Sequence, residues 1–304
     1  MGSAPPVSVT GLTKQYGDIT AVDGVDLTVE AGDVFGYLGP NGAGKTTSMR
    51  MMLGLIRPTA GDVRLFGKDP QESIAALEGV AGFVEAPRFY PYMSARRNLD
   101  LLAALDGNGA IDRIPEVLDI VELTNRAKDK VSGYSHGMRQ RLGIAASLLR
   151  APRLLMLDEP ATGLDPAGMR DMRLLIKRLA SEGITVLLSS HLLAEVEDVC
   201  DRVAIIRSGR IAYQGRLADL RREAGLSYTL RTTNDDAAAR ALDEAYGVEP
   251  DPQPDGSLRF HPADEAAVAA LSSQLVEAGA SIIEMAPRSA TLEELFFDLT
   301  EGKS

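Results

Sequence analysis

Cysteine, tryptophan and long apolar runs are what this chain of 304 residues has least of. Cys200 is its one cysteine, and tryptophan is absent. A single thiol excludes an intramolecular disulfide and a cysteine-cluster metal site, which fits a reducing cytosol. No stretch approaches the roughly 18 to 20 continuous apolar residues of a membrane span. The first residues lack the basic head and apolar core of a secretory signal, so we expect a cytoplasmic protein with no direct membrane insertion.

Positive charge is also scarce, above all towards the C-terminus. The net charge is −11, and residues 225–304 hold 15 Asp and Glu against 5 Lys and Arg. Residues 1–224 hold 28 acidic and 27 basic side chains. Neither part offers the basic face that binding to a nucleic-acid backbone normally demands. The composition therefore disfavours a nucleic-acid partner.

What the chain does contain is a complete phosphate-binding loop between a strand pattern and a helix pattern. An apolar run over residues 34–38 precedes the loop, and residues 48–53 continue it as a helix. Such a loop directs backbone N–H groups and a helix N-terminus at nucleotide phosphates. Lys45 is expected to reach the β- and γ-phosphates, and the Thr46 hydroxyl to hold Mg²⁺. The predicted nucleotide-binding residues of this loop are Gly39, Pro40, Asn41, Gly42, Ala43, Gly44, Lys45, Thr46 and Thr47.

Two adjacent acids follow an apolar strand pattern at residues 154–157. An unpaired carboxylate in a buried sheet is costly, so a pair at a strand tip normally serves a cation or a water molecule. In phosphate-loop ATPases, Asp158 would bind Mg²⁺ and Glu159 would polarise the attacking water. An isolated pair is also typical of a solvated strand end, but its position downstream of a phosphate loop favours catalysis.

A capped helix begins upstream of those acids, in the sequence Tyr-Ser-His-Gly-Met-Arg-Gln-Arg over residues 134–141. Ser135 is a good N-cap, and Gly137 lets another backbone approach closely. A helix N-terminus built in this way is a second anion site. In isolation the same pattern is typical of an ordinary capped helix.

Together these motifs resemble the nucleotide-binding subunit of ATP-binding cassette (ABC) transporters over residues 7–224. In that family a Ser-x-Gly signature completes the ATP site of the opposite subunit, and Ser135 and Gly137 match it. Position 136, usually Gly, is His in this chain, and position 138, usually Gln, is Met. The Ser-x-Gly-Met form resembles the drug- and antibiotic-exporter branch.

Other landmarks of the family fall in order along the chain. The resemblance implies that Tyr16 stacks on adenine, that Asp165 lies in a loop crossing the dimer interface, and that His191 contacts the γ-phosphate. Without the resemblance, Tyr16 is equally typical of a packed strand end and His191 of a structural histidine.

One position departs from the family pattern. The Gln that senses metal and membrane partner in the family aligns with Glu85, which follows the apolar run 80–84. A carboxylate can still accept a bond from a metal-bound water, so Glu85 is a predicted metal-site residue. The apolar rings of residues 89–93 either fold inward or border a groove for a cytoplasmic helix of a permease.

The resemblance implies an α/β fold: a phosphate-loop ABC ATPase core, residues 1–224, with an antiparallel β subdomain and a helical subdomain. Alternating patterns over the first 35 residues predict paired strands. Apolar strands at 154–157 and 185–188 flank a helix pattern at 167–181, which predicts a parallel sheet buried on both faces. Further predicted elements are helices over 70–79, 94–105 and 112–123 and a hairpin over 203–213.

Residues 225–304 are expected to form a small α+β accessory domain outside the ATP chemistry. The pattern predicts strand, helix, Pro/Asp-rich loop, strand, helix, strand and a last helix over 291–299. One face of that helix (Leu292, Leu295, Phe296, Leu299) either packs on its own sheet or contacts a partner subunit. His261 is expected at the surface.

The resemblance implies an ATP-hydrolysing subunit that uses ATP and Mg²⁺. It is expected to work as a head-to-tail pair of identical chains at the cytoplasmic face of a membrane. A separate integral membrane permease would carry the cargo, a drug-like or lipid-like molecule for an exporter. Import is the alternative within transport. A non-transport ATPase of DNA repair or translation is less well supported, since the chain has one cassette and an acidic tail. A regulatory module without turnover would lack Glu159 or His191.

Overall fold

The structure, a computed structural model, describes residues 4–107, 109–223, 226–246, 251–253, 255–260 and 265–289. The chain forms two compact units that divide between Leu217 and Ala218. The domain boundary predicted at residues 224–225, the helix predicted over 291–299 and His261 lie outside the described residues. Among the helices in the described ranges, none has the length and apolar character needed to cross a bilayer.

The strands and helices of the described ranges are as follows. The strands are β1 (Val7–Tyr16), β2 (Ile19–Val29), β3 (Val34–Leu38), β4 (Ala60–Leu65), β5 (Val80–Phe83), β6 (Leu154–Asp158), β7 (Thr185–Ser190), β8 (Arg202–Arg207), β9 (Arg210–Arg216), β10 (Leu226–Thr232), β11 (Asp251–Pro252), β12 (Leu258–Phe260) and β13 (Ile282–Ser289). The helices are α1 (Lys45–Met52), α2 (Ala95–Asp106), α3 (Ile114–Ile120), α4 (His136–Leu148), α5 (Pro166–Ser181), α6 (Leu193–Val199), α7 (Leu217–Glu223), α8 (Asp235–Tyr246) and α9 (Glu265–Glu277).

A six-stranded sheet in the order β5-β6-β7-β3-β8-β9 is the centre of the first unit. Its strands pair in parallel except for β9, which pairs antiparallel with β8 as the predicted hairpin. Every residue of β3, β6 and β7 is buried. Strands buried on both faces need continuous apolar sequence, which is why β6 and β7 could be predicted as parallel strands. The structure adds β3 to them, paired in parallel with β7. The carboxyl ends of β3, β6 and β7 consequently meet at one edge of the sheet.

A second sheet in the order β2-β1-β4 is antiparallel. The long β1–β2 hairpin agrees with the strand pairing predicted for the first 35 residues. Apolar side chains of this sheet pack with those of the larger sheet and α1 in one hydrophobic core. Phe35, Tyr37, Met49 and Met51 are fully buried members of that core.

The helical region lies between β5 and β6 along the chain and contains α2, α3 and α4. Helices predicted over 94–105 and 112–123 are present as α2 and α3. The helix predicted over 70–79 is wrong, because only a 3₁₀ turn over Ile74–Leu77 forms there. Ile74 is 86% exposed, whereas Ala76 is buried and Leu77 packs against the core, so one turn is enough to bury the apolar residues that do so.

The second unit contains a four-stranded antiparallel sheet in the order β11-β12-β10-β13. Its elements follow the sequence strand, helix, two strands, helix, strand, which is the ferredoxin-like arrangement. Leu230, Ala238, Leu242 and Leu271 lie in its own hydrophobic core. The predicted order of elements is therefore confirmed over the described part of this unit, and the predicted Pro/Asp-rich loop also contains the two-residue strand β11.

Candidate active site

The phosphate loop connects the buried strand β3 to helix α1. Gly44 precedes the helix with a φ of +107°, and a Cβ at this position would lie 2.5 Å from the carbonyl oxygen of Ala21. Only glycine combines this dihedral angle with so close a backbone approach. Lys45 is the first residue of α1 and is 5% exposed. Its Nζ donates hydrogen bonds to the carbonyl oxygens of Gly39 at 2.7 Å and Pro40 at 3.3 Å.

Asp158 ends β6 as a carboxylate that is only 4% exposed. Its Oδ2 accepts a hydrogen bond of 2.9 Å from the Thr46 hydroxyl, and its Oδ1 accepts one of 2.5 Å from the Ser189 hydroxyl. The backbone N–H of Glu85 also donates to Oδ2, at 3.3 Å. A buried carboxylate needs such donors, because an unpaired one is strongly destabilising. Ser189 was not identified from the sequence, although it follows the apolar stretch of β7 directly.

The donor set at this point fits Mg²⁺. The Thr46 hydroxyl and the Asp158 carboxylate, which converge to 2.9 Å, are both oxygen ligands of the kind that Mg²⁺ takes. Two protein ligands are sufficient, because this ion usually keeps several waters and binds substrate phosphates as well.

Glu85 contributes to this part of the site through its main chain. Its side-chain carboxylate is 58% exposed and forms an ion pair with Arg50 of α1. The carboxylate thus lies against Arg50, while the N–H of the same residue reaches Asp158. The role of the Glu85 side chain at the metal stays a prediction.

Glu159 follows Asp158 in a left-handed conformation, with a φ of +51°. Its Oε1 lies 3.2 Å from Lys45 Nζ. Its Oε2 accepts a hydrogen bond of 2.7 Å from the Thr162 hydroxyl and lies 2.6 Å from Nδ1 of His191. Burial raises the pKa of Glu159, but the hydrogen bonds from Thr162 and His191 and the charge of Lys45 outweigh it and hold that pKa below its ordinary value. Glu159 is therefore ionised at neutral pH.

His191 is placed by the end of β7, next to the end of β6. Because an ionised carboxylate only accepts hydrogen bonds, Nδ1 of His191 carries a proton in this contact. The ring thus fixes one oxygen of Glu159 and presents its other nitrogen away from it. The structure brings Lys45, Thr46, Asp158, Glu159 and His191 together at the carboxyl ends of β3, β6 and β7. Their roles toward nucleotide and metal, including the contact of His191 with the γ-phosphate, stay predictions.

Ser135, Gly137 and Asp165 line a separate open cleft between the start of α4 and the start of α5. The Ser135 hydroxyl accepts a hydrogen bond from the N–H of Met138 at 3.2 Å, so the predicted N-cap is confirmed. Asp165 caps α5 in the same way, accepting from the N–H of Gly168 at 3.0 Å. Their predicted roles toward a nucleotide of another subunit stay predictions.

Tyr16 is the last residue of β1, and its side chain is 49% exposed. The ammonium group of Lys14 lies 5.1 Å from the centre of its ring. The alternative of a packed strand-end tyrosine is not what the structure shows, because the ring is half open to solvent. An exposed ring of this kind remains available for stacking on a base.

Two neighbouring open cavities border the segment between β5 and α2. Tyr90 and Tyr92 are 53% and 63% exposed, and their ring centres are 5.8 Å apart. Phe89, Leu102 and Leu105 line a cavity of about 630 Å³ beside them. The tyrosines of residues 89–93 therefore do not fold inward.

Comparison with known proteins shows the family of this chain. The family model described as "ABC transporter" matches residues 22–162. The chain is 37% identical to the bacitracin transport ATP-binding protein BcrA of Bacillus licheniformis over 299 residues, 97% of each protein. It is also 37% identical to the daunorubicin resistance ATP-binding protein DrrA3 of Streptomyces coeruleorubidus, over 97% of this chain and 95% of that protein.

Among solved structures, the dimeric bacterial ABC transporter cassette MJ0796 is similar, with a TM-score of 0.63 and 25% identity. The match covers 69% of this chain and 98% of that one. The residues matched by the family model include the phosphate loop and both carboxylates. The chain belongs to the ATP-binding proteins of ABC transporters.

Proposed function

We propose that this chain hydrolyses ATP as a homodimeric subunit of an exporter, with Mg²⁺ as cofactor and a separate membrane permease as partner. The observation that carries the catalytic part is the Glu159 carboxylate, ionised and held by Lys45, Thr162 and His191 beside the Thr46–Asp158 pair. A carboxylate so fixed is suited to accept a proton from an attacking water. In this proposal Asp158 binds the metal and Glu159 accepts the proton.

The residues of the site have separate tasks in this reaction. Mg²⁺, when bound, would offset the negative charge of the phosphates, and Thr46 and Asp158 would hold it. Lys45 supplies a positive charge at the phosphate loop, and the N–H groups at the start of α1 complement phosphate oxygens. Glu159 accepts the proton of the water, while His191 keeps its carboxylate oriented. Positioning of the reactants and electrostatic stabilisation account for most of the rate enhancement in phosphoryl transfer.

The second part of the proposal concerns assembly. Ser135, Gly137 and Asp165 would face the nucleotide held by the opposite subunit, so that two chains enclose two ATP molecules. Supporting this, the three residues line an open cleft apart from the Lys45–Glu159 cluster of their own chain. Tyr16 would stack on the adenine at the first site.

The apolar cavity beside Tyr90 would receive a cytoplasmic helix of the permease. Phe89, Leu102 and Leu105 give it the apolar surface into which an amphipathic helix packs. Arg88, which lines the cavity, lies three residues after Glu85, whose N–H contacts the buried Asp158. The permease would place this chain at the cytoplasmic face of the membrane.

Export of a drug-like or lipid-like molecule is favoured over import. The relatives are described as bacitracin transport and daunorubicin resistance proteins, and they align with nearly the whole chain. The Ser-His-Gly-Met signature is of the form noted for that branch. Copurification of the native membrane complex would identify the permease, and inverted vesicles would show the direction of transport.

Replacing Glu159 with Gln tests the catalytic assignment. The amide keeps the shape of the side chain but cannot take a proton, so ATP binding should persist while turnover falls about 10²- to 10⁴-fold. ATP should then trap a stable dimer, visible by size-exclusion chromatography. Turnover within threefold of the wild-type value would contradict the assignment of Glu159 as base.

A further inference from the structure

His136 occupies the middle of the signature, and its ring contacts the loop that follows Glu159. Its Nε2 lies 3.0 Å from the carbonyl oxygen of Thr162. A Cβ at Gly163 would lie 3.5 Å from the same ring, so the imidazole packs directly over this glycine. The side chain of His136 is thus directed into its own subunit, onto residues 162–163.

The hydrogen-bond partners define the direction of this contact. A carbonyl oxygen can only accept, so Nε2 of His136 carries a proton and donates to Thr162. Gln140, one helical turn further along α4, is 3% exposed, and its side-chain nitrogen lies 3.5 Å from the same Nε2. Its Oε1 is buried without a hydrogen-bond partner among the described residues. The one proton on Nε2 is therefore donated to the Thr162 carbonyl oxygen, which is the nearer of the two neighbours.

Thr162 in turn contacts the catalytic carboxylate with a different atom. Its hydroxyl donates 2.7 Å to Oε2 of Glu159, and its N–H donates 3.2 Å to the Glu159 carbonyl. One residue therefore receives a hydrogen bond from the signature through its carbonyl oxygen and gives one to the base through its hydroxyl. Two hydrogen bonds therefore connect His136 to Glu159, and both are made by Thr162.

We infer that His136 is a positioning residue: through Thr162, it ties the signature segment to the Glu159 carboxylate of the same subunit. The inference rests on the proposed role of Glu159 as the base. In the proposed dimer, the segment that meets the partner's nucleotide would also hold the base of its own site in place. A glycine at position 136, as is usual in the family, has no side chain to make this contact.

A double-mutant cycle in the full-length chain tests the path. His136→Leu keeps the side-chain volume over Gly163 but removes the donor, and Thr162→Val removes the hydroxyl while keeping the carbonyl. Loss of one hydrogen bond predicts about a threefold to tenfold lower kcat for His136→Leu, with the KM for ATP within twofold of the wild type. In the Thr162→Val background, His136→Leu should cause no further loss, because the hydroxyl that it positions is already gone. His136→Gln, which retains an N–H donor, should recover part of the activity.

The outcomes separate this inference from the proposed function. An equal loss of kcat in both backgrounds, a loss seen only as a higher KM, or no loss at all would overturn the positioning role. Thermal unfolding of each variant checks that the fold is kept. If His136→Leu is destabilised, His136→Gly replaces it in the cycle as the variant without a donor, and His136→Gln remains the variant that retains one. If Glu159→Gln leaves wild-type turnover, the proposed function and this inference fall together. If turnover depends on Glu159 but not on His136, the inference alone fails.

Discussion

Asp158 and Glu159 are neighbours in sequence but have different surroundings, and this difference supports the separate roles proposed for them. Asp158 is buried and accepts hydrogen bonds from the neutral hydroxyls of Thr46 and Ser189. Glu159 is closer to solvent and contacts Lys45 and His191. Neutral donors do not cancel the negative charge of Asp158, so that charge is available to bind a cation. Lys45 and His191 hold the carboxylate of Glu159 in one orientation, which suits it to accept a proton from a water molecule. The left-handed backbone of Glu159 turns its side chain out of the strand alternation to reach these partners.

Ser189 joins the two carboxylates and provides a residue-scale prediction. Its fully buried hydroxyl donates to Asp158 and accepts a 3.0 Å hydrogen bond from the N–H of Glu159. In Ser189→Ala both groups lose their partner, so the Mg²⁺ concentration for half-maximal ATPase activity should rise about tenfold to a hundredfold. Titration of Mg²⁺ at fixed ATP measures this effect.

Ser190→Ala is the matched control for that titration. The hydroxyl of Ser190 accepts from the N–H of Leu192 rather than contacting either carboxylate. Its Mg²⁺ dependence should stay close to that of the wild type. Equal shifts in the two variants would mean that the Ser189 hydroxyl has no specific role at the metal.

At the scale of elements, strand β5 supports the strand that ends in the two carboxylates. Gly82 lies in β5 with a φ of +148°, and a Cβ there would lie 1.8 Å from the carbonyl oxygen of Met156 in β6. Gly82→Ala should therefore force the two strands apart, at a cost of about 3 kcal/mol. The midpoint of thermal unfolding should fall by roughly 5 to 10 °C.

Gly133→Ala controls for the loss of a glycine as such. A Cβ at Gly133 meets no atom within 4 Å, and its φ is not in the left-handed region. Its unfolding midpoint should remain within about 2 °C of the wild type, as is usual for a surface substitution. A Gly82→Ala protein as stable as Gly133→Ala would show that β5 and β6 can separate without cost.

The elements also show what could be predicted from sequence. β6, β7 and α5 were predictable because each has its own local signal, an apolar run or an amphipathic period. β4 pairs with β1, which lies some fifty residues earlier in the chain. Pairing between such distant segments gives no recognisable pattern in the local sequence. The predicted helix over 70–79 was wrong because a single 3₁₀ turn is enough to bury Ala76 and to bring Leu77 against the core.

The same distinction holds for the active site. Motifs identified Lys45 and Glu159 as candidate site residues, because their positions are fixed by the loop and the strand that carry them. They did not identify Ser189 or the role of the Thr162 hydroxyl, because those roles depend on where separate segments meet. For Glu85, the sequence predicted a role that its side chain does not show directly. The match to a family position could not reveal that the Glu85 carboxylate pairs with Arg50.

For the molecule as a whole, charge and chemistry are divided along the chain. The residues from 225 onward have a net charge of −10, from 15 acidic and 5 basic side chains, whereas the phosphate loop and both carboxylates lie before Leu217. Each unit has a hydrophobic core of its own. Because an acidic surface repels nucleotide, the second unit is a poor candidate for a part in ATP chemistry.

A chain that ends after Glu223 should therefore bind and hydrolyse ATP. The expected kcat at saturating ATP is within about threefold of the full-length value, since each hydrogen bond described around Lys45, Asp158 and Glu159 joins residues of the first unit. The second unit is proposed to stabilise the pair of subunits between catalytic cycles, so the nucleotide-free dimer should be lost on truncation, as measured by analytical ultracentrifugation. Glu159→Gln in the truncated chain is the control that assigns the remaining activity to this site. A truncated chain that is folded by circular dichroism but cannot hydrolyse ATP would place the second unit within the chemistry.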